Sequence, residues 1–223
     1  MKQIFFITAI ILLLASCSAE FLPHERIRPS GVIVTEFRTV PENTNRIGVS
    51  GIFDLNISLG DEERIEILAD DNVMPHIATR ETSGNGLEIF TEAVSFIGNI
   101  PQITVNITLR DLNELHLRLS GNSSLSGENI VATTITAHLS GNSQLDLSGE
   151  VYRFNLRSSG SSRARTFDLI STHLHATLSG ASTAQVTAVE TLVARLSGAS
   201  RLTYDGNPIL DYQTSGASSL IRR

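Results

Sequence analysis

The side chains able to do chemistry in this sequence come in series rather than in clusters. Ser-Gly recurs at Ser120-Gly121, Ser140-Gly141, Ser159-Gly160, Ser179-Gly180, Ser197-Gly198 and Ser215-Gly216. A further serine stands three residues after each, at Ser123, Ser143, Ser162, Ser182, Ser200 and Ser218. A hydroxyl becomes a nucleophile on a G-x-S-x-G elbow. Gly121-Asn122-Ser123-Ser124-Leu125 and Gly180-Ala181-Ser182-Thr183-Ala184 both lack the final glycine. Six near-equivalent serines argue for a structural ladder over one activated group. Neither a phosphate-binding P-loop nor G-x-G-x-x-G occurs.

Other candidates are weaker than their structural explanations. His173 and His175 sit two apart on one strand and share a face, which could begin a metal site, but no further ligand clusters with them. Asp61-Glu62-Glu63 and Asp70-Asp71 have the charge for calcium but not the spacing of a loop that wraps an ion, and acidic turns beside a strand explain them. Asp146, Arg163 and Arg165 fall on outward positions, as the carboxylates and cations of a polysaccharide lyase would, yet nothing sets them apart from other outward residues. No cofactor is called for. The feature singled out is a stripe two residues before successive corners: Arg118, His138, Arg157 and Arg195, with Thr177 in the gap. Arginines in line can hold carboxylates or sulfates of a glycan through paired hydrogen bonds. The plainer account is that any exposed strand face needs polar residues.

Cys17 is the only cysteine, so no intramolecular disulfide can form. It follows Lys2 and an apolar stretch from Ile4 to Ala15, the layout of a secretory signal. That run falls short of the ~20 apolar residues of a spanning helix. Leu14-Ala15-Ser16-Cys17 resembles the bacterial lipobox, in which the thiol takes a diacylglyceryl group before cleavage. Several acyl chains at one residue anchor stably where one would be marginal. Ser18 is compatible with passage to the outer membrane, with the face left open. The expected division is therefore a signal at 1–16, a lipidated cysteine and tether at 17–30, and one domain at 31–223.

Loss of Lys2, the only lysine, takes the formal charge from −6 to about −7. Residues 31–110 hold five arginines against twelve acids, and residues 111–223 hold nine of each. An acidic chain without basic clusters argues against nucleic acid, whose phosphates need neutralising.

The elements that position these residues follow from the repeat. Corner spacings are 20, 19, 20, 18 and 18 residues. Before each corner the pattern alternates, with Leu115, Leu117 and Leu119 apolar and Arg118 polar in the first copy. Two residues after the second serine the apolar series resumes, at Leu125, Leu145, Ala164, Ala184, Leu202 and Leu220. A unit this short cannot hold a helix and return to register. It suits one coil of a β-solenoid, with coils stacked ~4.8 Å apart. A meander of antiparallel hairpins is the alternative. Residues 31–110 read as a less regular first half, with strands near 33–37, 47–57, 64–68, 86–90 and 103–109. Ser50-Gly51 is an outlying corner candidate, and this half could cover the end of the core. Residues 111–223 carry the regular repeats.

The order of motifs resembles a known family. Ile47-Gly48-Val49-Ser50-Gly51-Ile52-Phe53-Asp54-Leu55-Asn56-Ile57-Ser58-Leu59-Gly60 is followed by an acidic turn, Asp71-Asn72-Val73-Met74-Pro75-His76-Ile77 and Gly86-Leu87-Glu88-Ile89. The L-S-G-x-S corners come next. Over residues 33–220 this is similar to the auto-transporter adhesin head GIN domain, DUF2807. The resemblance implies a right-handed, mostly parallel β-helix, pectin-lyase-like in outline, serving surface adhesion without established catalytic residues. The expectation is a non-catalytic envelope lipoprotein binding an acidic glycan or surface protein. A lyase-like enzyme and a self-associating structural protein remain alternatives.

Overall fold

The computed structural model describes residues 25–92, 94–110 and 112–223; the signal segment, Cys17 and the tether up to residue 24 lie outside them. Strand follows strand because apolar residues alternate with polar ones along nearly every segment. The first half supplies β1 (Glu25–Ile27), β2 (Ile33–Arg38), β3 (Arg46–Gly51), β4 (Asp54–Leu59), β5 (Arg64–Asp70) and β6 (Ile77–Thr82). It continues with β7 (Gly86–Thr91), β8 (Val94–Phe96) and β9 (Thr104–Leu109). The repeats supply β10 (Glu114–Gly121), β11 (Ser124–Leu139), β12 (Gln144–Ser158), β13 (Arg163–Leu178) and β14 (Thr183–Leu196). Then come β15 (Arg201–Asp205), β16 (Ile209–Thr214) and β17 (Ser219–Arg222). The only helical turn among the described residues is Met74–His76.

These strands stack as parallel coils into a β-solenoid of about five turns, not a meander. The long strands β11 and β12 each break register once, between Gly127 and Ile130 and between Asp146 and Gly149, and β13 breaks it twice, between Thr166 and Ile170 and between Ser171 and His173. The break divides each coil between two faces. The front face, leading into the Ser-Gly corner, runs β7, β3, β10, β11, β12, β13, β14, β16. The back face, leaving it, runs β9, β4, β11, β12, β13, β14, β15, β17.

The coil order is not the chain order. β3 and β4 form an inner coil, β7 and β9 lie outside it, and the chain then crosses back to place β10 against β3. Ser50-Gly51 therefore sits directly against Ser120-Gly121 as a full member of the corner stack. Antiparallel strands close this end: β6 against β7, and β5 and β2 beyond β9. Residues 25–30, read from the sequence as tether, are docked on the fold. β1 pairs with β8, Ile27 is buried, and Ser30 hydrogen-bonds Asp71 and Asn72.

The corner needs glycine for two reasons. Gly160 has φ +71°, and a Cβ on it would lie 2.6 Å from the carbonyl oxygen of Gly141 in the coil before. The other Ser-Gly corners from Gly121 to Gly216 repeat that contact at 2.6–2.7 Å. In five of the six Ser-Gly repeats the first serine reaches the coil before it, as when Ser159 Oγ donates to the Leu139 carbonyl at 3.3 Å. In four corners the second closes the turn, as when Ser162 Oγ donates to the Ser159 carbonyl at 2.8 Å, while Ser200 Oγ reaches the Leu178 carbonyl and Ser143 Oγ is unpaired. The serine series is thus a hydrogen-bonding ladder. Inward side chains from Ile27 to Tyr204 form one continuous apolar core. At the last coil the pattern persists but the cover does not: Leu210 and Tyr212 are 38% and 53% exposed, where Leu192 and Ala194 one coil earlier are fully buried.

Candidate ligand-binding face

Parallel register turns a sequence period into a straight row, because equivalent residues pair coil upon coil. On the front face one row runs Glu88, Gly48, Arg118, His138, Arg157, Thr177, Arg195, Gln213. All four residues singled out from the sequence lie in it. The neighbouring outward row runs Arg46, His116, Thr136, Asn155, His175, Val193, Asp211. Leucine and alanine side chains between them point inward and hold the outward residues in place.

The four stripe residues differ in state. Arg195 is engaged: its guanidinium gives paired hydrogen bonds to Asp211, at 3.1 and 2.8 Å. Those hydrogen bonds hold the Asp211 carboxyl below the ordinary carboxylate range, helped by the charges of Arg195 and His175. Arg118, Arg157 and also Arg46 have no acidic partner among the described residues. Arg118 and Arg157 stand two coil steps apart, ~10 Å at ordinary strand spacing. His138 lies between them. Burial, then the charges of Arg157, Arg118 and His116, push its pKa below the ordinary histidine value.

Three shallow hollows follow this stripe. One of about 370 Å³ surrounds Gly48 and reaches Arg118 and His138. The others, about 320 and 280 Å³, continue past Arg157 to Thr177. The face is therefore a basic groove, ending at the Arg195–Asp211 pair. A larger hollow of about 620 Å³ elsewhere carries Glu42, Glu63 and Glu114, so it does not extend the basic surface.

The remaining candidates are tied into the fold. His173 bonds Thr191 at 2.9 Å and Tyr152 at 3.2 Å and packs edge-on against the Tyr152 ring, while His175 stands one position along the same outward face. The 61–63 turn receives Arg110, which donates to the Asp61 carbonyl and to Glu63. Asp70 is buried and accepts from the Gly31 amide, and Asp71 accepts from Ser30 at 2.6 Å. Asp146 forms an ion pair with Arg165 at 2.6 Å on the back face, where Arg163 lies in the adjoining row. Among the described residues no three His, Cys, Asp or Glu gather as metal ligands.

Sequence reasoning missed Arg46, Gly48 and His116, and weighed His175 only as a metal ligand with His173. The signal was present: counting back two and four residues from each corner serine, Ser50 included, yields all of them. Only the placement of β3 beside β10 shows that Ser50 belongs to the same series.

A family model described as "Putative auto-transporter adhesin, head GIN domain" matches residues 43–208. No curated protein matches the sequence. Among solved structures, a "putative adhesin" from Bacteroides fragilis superposes with a TM-score of 0.68 at 16% identity, covering 88% of this chain and 97% of its own. A "putative adhesin" from Parabacteroides distasonis gives 0.54 at 17% identity, covering 89% and 100%. A "putative lipid binding protein" from the same species gives 0.50 at 17%, again covering 89% and 100%. At these identities the likeness shows the shared fold.

Proposed function

Because the chain belongs to the auto-transporter adhesin head GIN domain family, DUF2807, we propose that it is a non-catalytic binding module of the cell envelope that holds acidic glycans along its front face. The observation that carries this is the pair Arg118 and Arg157, without acidic partners among the described residues and in line along a groove. A guanidinium presents a planar fork of donors that matches carboxylate and sulfate bidentately. A rigid parallel sheet holds the two forks at fixed separation before any ligand arrives, which lowers the ordering cost of binding. The adhesin descriptions of the family and of its structural neighbours agree with a binding role.

The anchor in this reading is lipid on Cys17, supported by Leu14-Ala15-Ser16-Cys17 and the signal-like segment before it. With Ser18 following it, that anchor would hold the domain at the outer membrane. Metabolic labelling with a palmitate analogue tests it: label lost in Cys17→Ser supports the anchor, and equal label in both proteins removes it.

The binding test is a glycan array on soluble residues 20–223 beside the double variant Arg118→Ser, Arg157→Ser. Acidic glycans bound by the parent and lost by the variant are expected. Arg195→Ser should bind nearly as the parent does, because its guanidinium is already committed to Asp211. Equal binding by parent and double variant, or none by either, overturns the reading.

One observation favours a second reading, self-association. Among the described residues β16 and β17 each pair on one side alone, and Ile209 and Tyr212 are 78% and 53% exposed. Uncovered strand edges pair readily with other chains. Sedimentation at high protein concentration decides it, since a sole monomer species excludes self-association through this end.

A further inference from the structure

The hollow at the closed end of the groove carries a more specific assignment, which rests on the glycan-binding reading and deepens it. Every other occupant of the central row from Glu88 to Gln213 has a side chain; Gly48 does not. The backbone does not demand a glycine there. Its φ lies outside the positive range, and the nearest atom a Cβ would meet is Glu88 Cγ at 3.7 Å. Gly48 therefore differs in kind from the corner glycines: what its missing side chain creates is space on the surface.

That space is walled on three sides. Arg46 and His116 stand along one flank and Arg118 with His138 close the side toward the groove. The turn joining β6 to β7 rises beyond, presenting the Thr82 and Ser83 hydroxyl-bearing residues. Gly86 lets that turn fold back so tightly, since a Cβ on it would collide with Thr82 Oγ1. Glu88 completes the far side, and Arg80 pairs with its carboxylate. Cations thus face a neutralised carboxylate and two hydroxyls across about 370 Å³. An inorganic anion would use only the cations. A sugar with one anionic group uses both sides, offering its charge to Arg46 and Arg118 and its hydroxyls to Glu88, Thr82 and Ser83. Glu88 and the 82–83 turn lie past Gly48 from the cationic stripe, so a chain running along Arg157 and Arg118 reaches them with its last sugar.

We propose that the hollow at Gly48 is a subsite for the terminal acidic sugar of a glycan, whose following residues lie along Arg118 and Arg157. The anion is a carboxylate or a sulfate, which the two guanidinium groups accommodate alike.

The test uses the full-length protein in detergent and fluorescence anisotropy with reducing-end-labelled hexasaccharides. One probe ends in glucuronic acid, one in the same sugar as its methyl ester, and one in a sulfated sugar. Gly48→Leu fills the hollow while leaving every cation in place, and its thermal midpoint is checked against the parent. Expected results are at least tenfold weaker binding of the acid-ended or sulfate-ended probe by Gly48→Leu, and a comparable loss for the methyl ester on the parent. Whichever anionic probe binds the parent more tightly identifies the anion. A labelled long heparin chain, which spans the rest of the stripe, should lose less than threefold. If Gly48→Leu folds and binds the anionic probes as the parent does, the subsite is overturned. Heparin binding that still depends on Arg118 and Arg157 would then leave the broader reading standing. If the parent binds neither probe nor heparin, both fail together. Should Gly48→Leu unfold, Gly48→Ser and Thr82→Val replace it, with at least threefold loss expected from each and unchanged affinity for both counting against the subsite.

Discussion

Replacing glycine by alanine should have opposite consequences at Gly160, in a corner, and at Gly48, in a front-face strand. At Gly160 the φ of +71° costs an L-residue roughly 1–2 kcal/mol. The new Cβ also stands 2.6 Å from the Gly141 carbonyl oxygen, so the coils must part by most of an ångström. That stretch weakens the Ser161 amide bond to Gly141 at 2.8 Å and the Ser159 amide bond to Leu139 at 3.0 Å. Each is worth about 0.5–1.5 kcal/mol net. Gly160→Ala should therefore destabilise by about 2–5 kcal/mol. In a stack whose coils touch only their neighbours, the damaged interface is mid-array and has no substitute. Gly48→Ala meets no atom closer than 3.7 Å and has no left-handed φ. It should be neutral or stabilise by about 0.4–1 kcal/mol, through the smaller conformational freedom of the unfolded chain. Urea unfolding followed by far-ultraviolet circular dichroism reads both. With slopes of about 1–3 kcal/mol per molar urea, Gly160→Ala should lower the midpoint by roughly 1–2 M. A Gly160→Ala midpoint equal to the parent's, or an equal loss at Gly48, would refute the reasoning from close approach and φ.

Three further outcomes follow from the same geometry. Ser143 Oγ is buried without a hydrogen-bond partner, whereas Ser162 Oγ bonds both Ser158 and the Ser159 carbonyl, so Ser143→Ala should cost about 1 kcal/mol less than Ser162→Ala in urea unfolding. Phe154 is fully buried mid-stack, and Phe154→Ala should lose about 3–5 kcal/mol by the same assay; a loss below 1 kcal/mol would show that the core collapses to fill the space. His138 has its folded pKa below the unfolded value near 6.5, so the native state binds fewer protons than the unfolded state just below that pH. Stability should fall as pH drops from about 6.5 toward the folded pKa, and His138→Gln should flatten that slope; identical pH profiles would contradict it.

Much of the solenoid was legible because its determinants are local and repeated. Leu115, Leu117 and Leu119 alternate with polar neighbours, and their equivalents recur with each Ser-Gly corner, so both strand and repeat follow from spacing. The stripe was legible for the same reason: a constant offset from the corner becomes a row once the coils stack in parallel. β6 was not. Ile77–Thr82 has apolar residues only at its start and is a strand because the 83–85 turn folds it against β7. Ile27 reads as part of a polar, proline-flanked tether, and its burial depends on β8, nearly seventy residues away.

The sequence by itself determined an all-β chain of stacked Ser-Gly coils, because glycine conformation and period-two burial are properties of the residues and their neighbours. It also determined which side chains face outward, since inward and outward alternate strictly along a strand. Tertiary structure decided which of those outward residues share a site. Inserting β3 between β7 and β10 brings Arg46 and Gly48 beside His116 and Arg118 across seventy residues of chain. It also decided which cations are free: Arg195 has the same offset as Arg118 and Arg157, yet Asp211 on the next coil claims it. And it decided burial: Leu210 and Tyr212 repeat the pattern of Leu192 and Ala194 yet are exposed, because burial depends on the packing of neighbouring coils and not on the pattern of the strand itself.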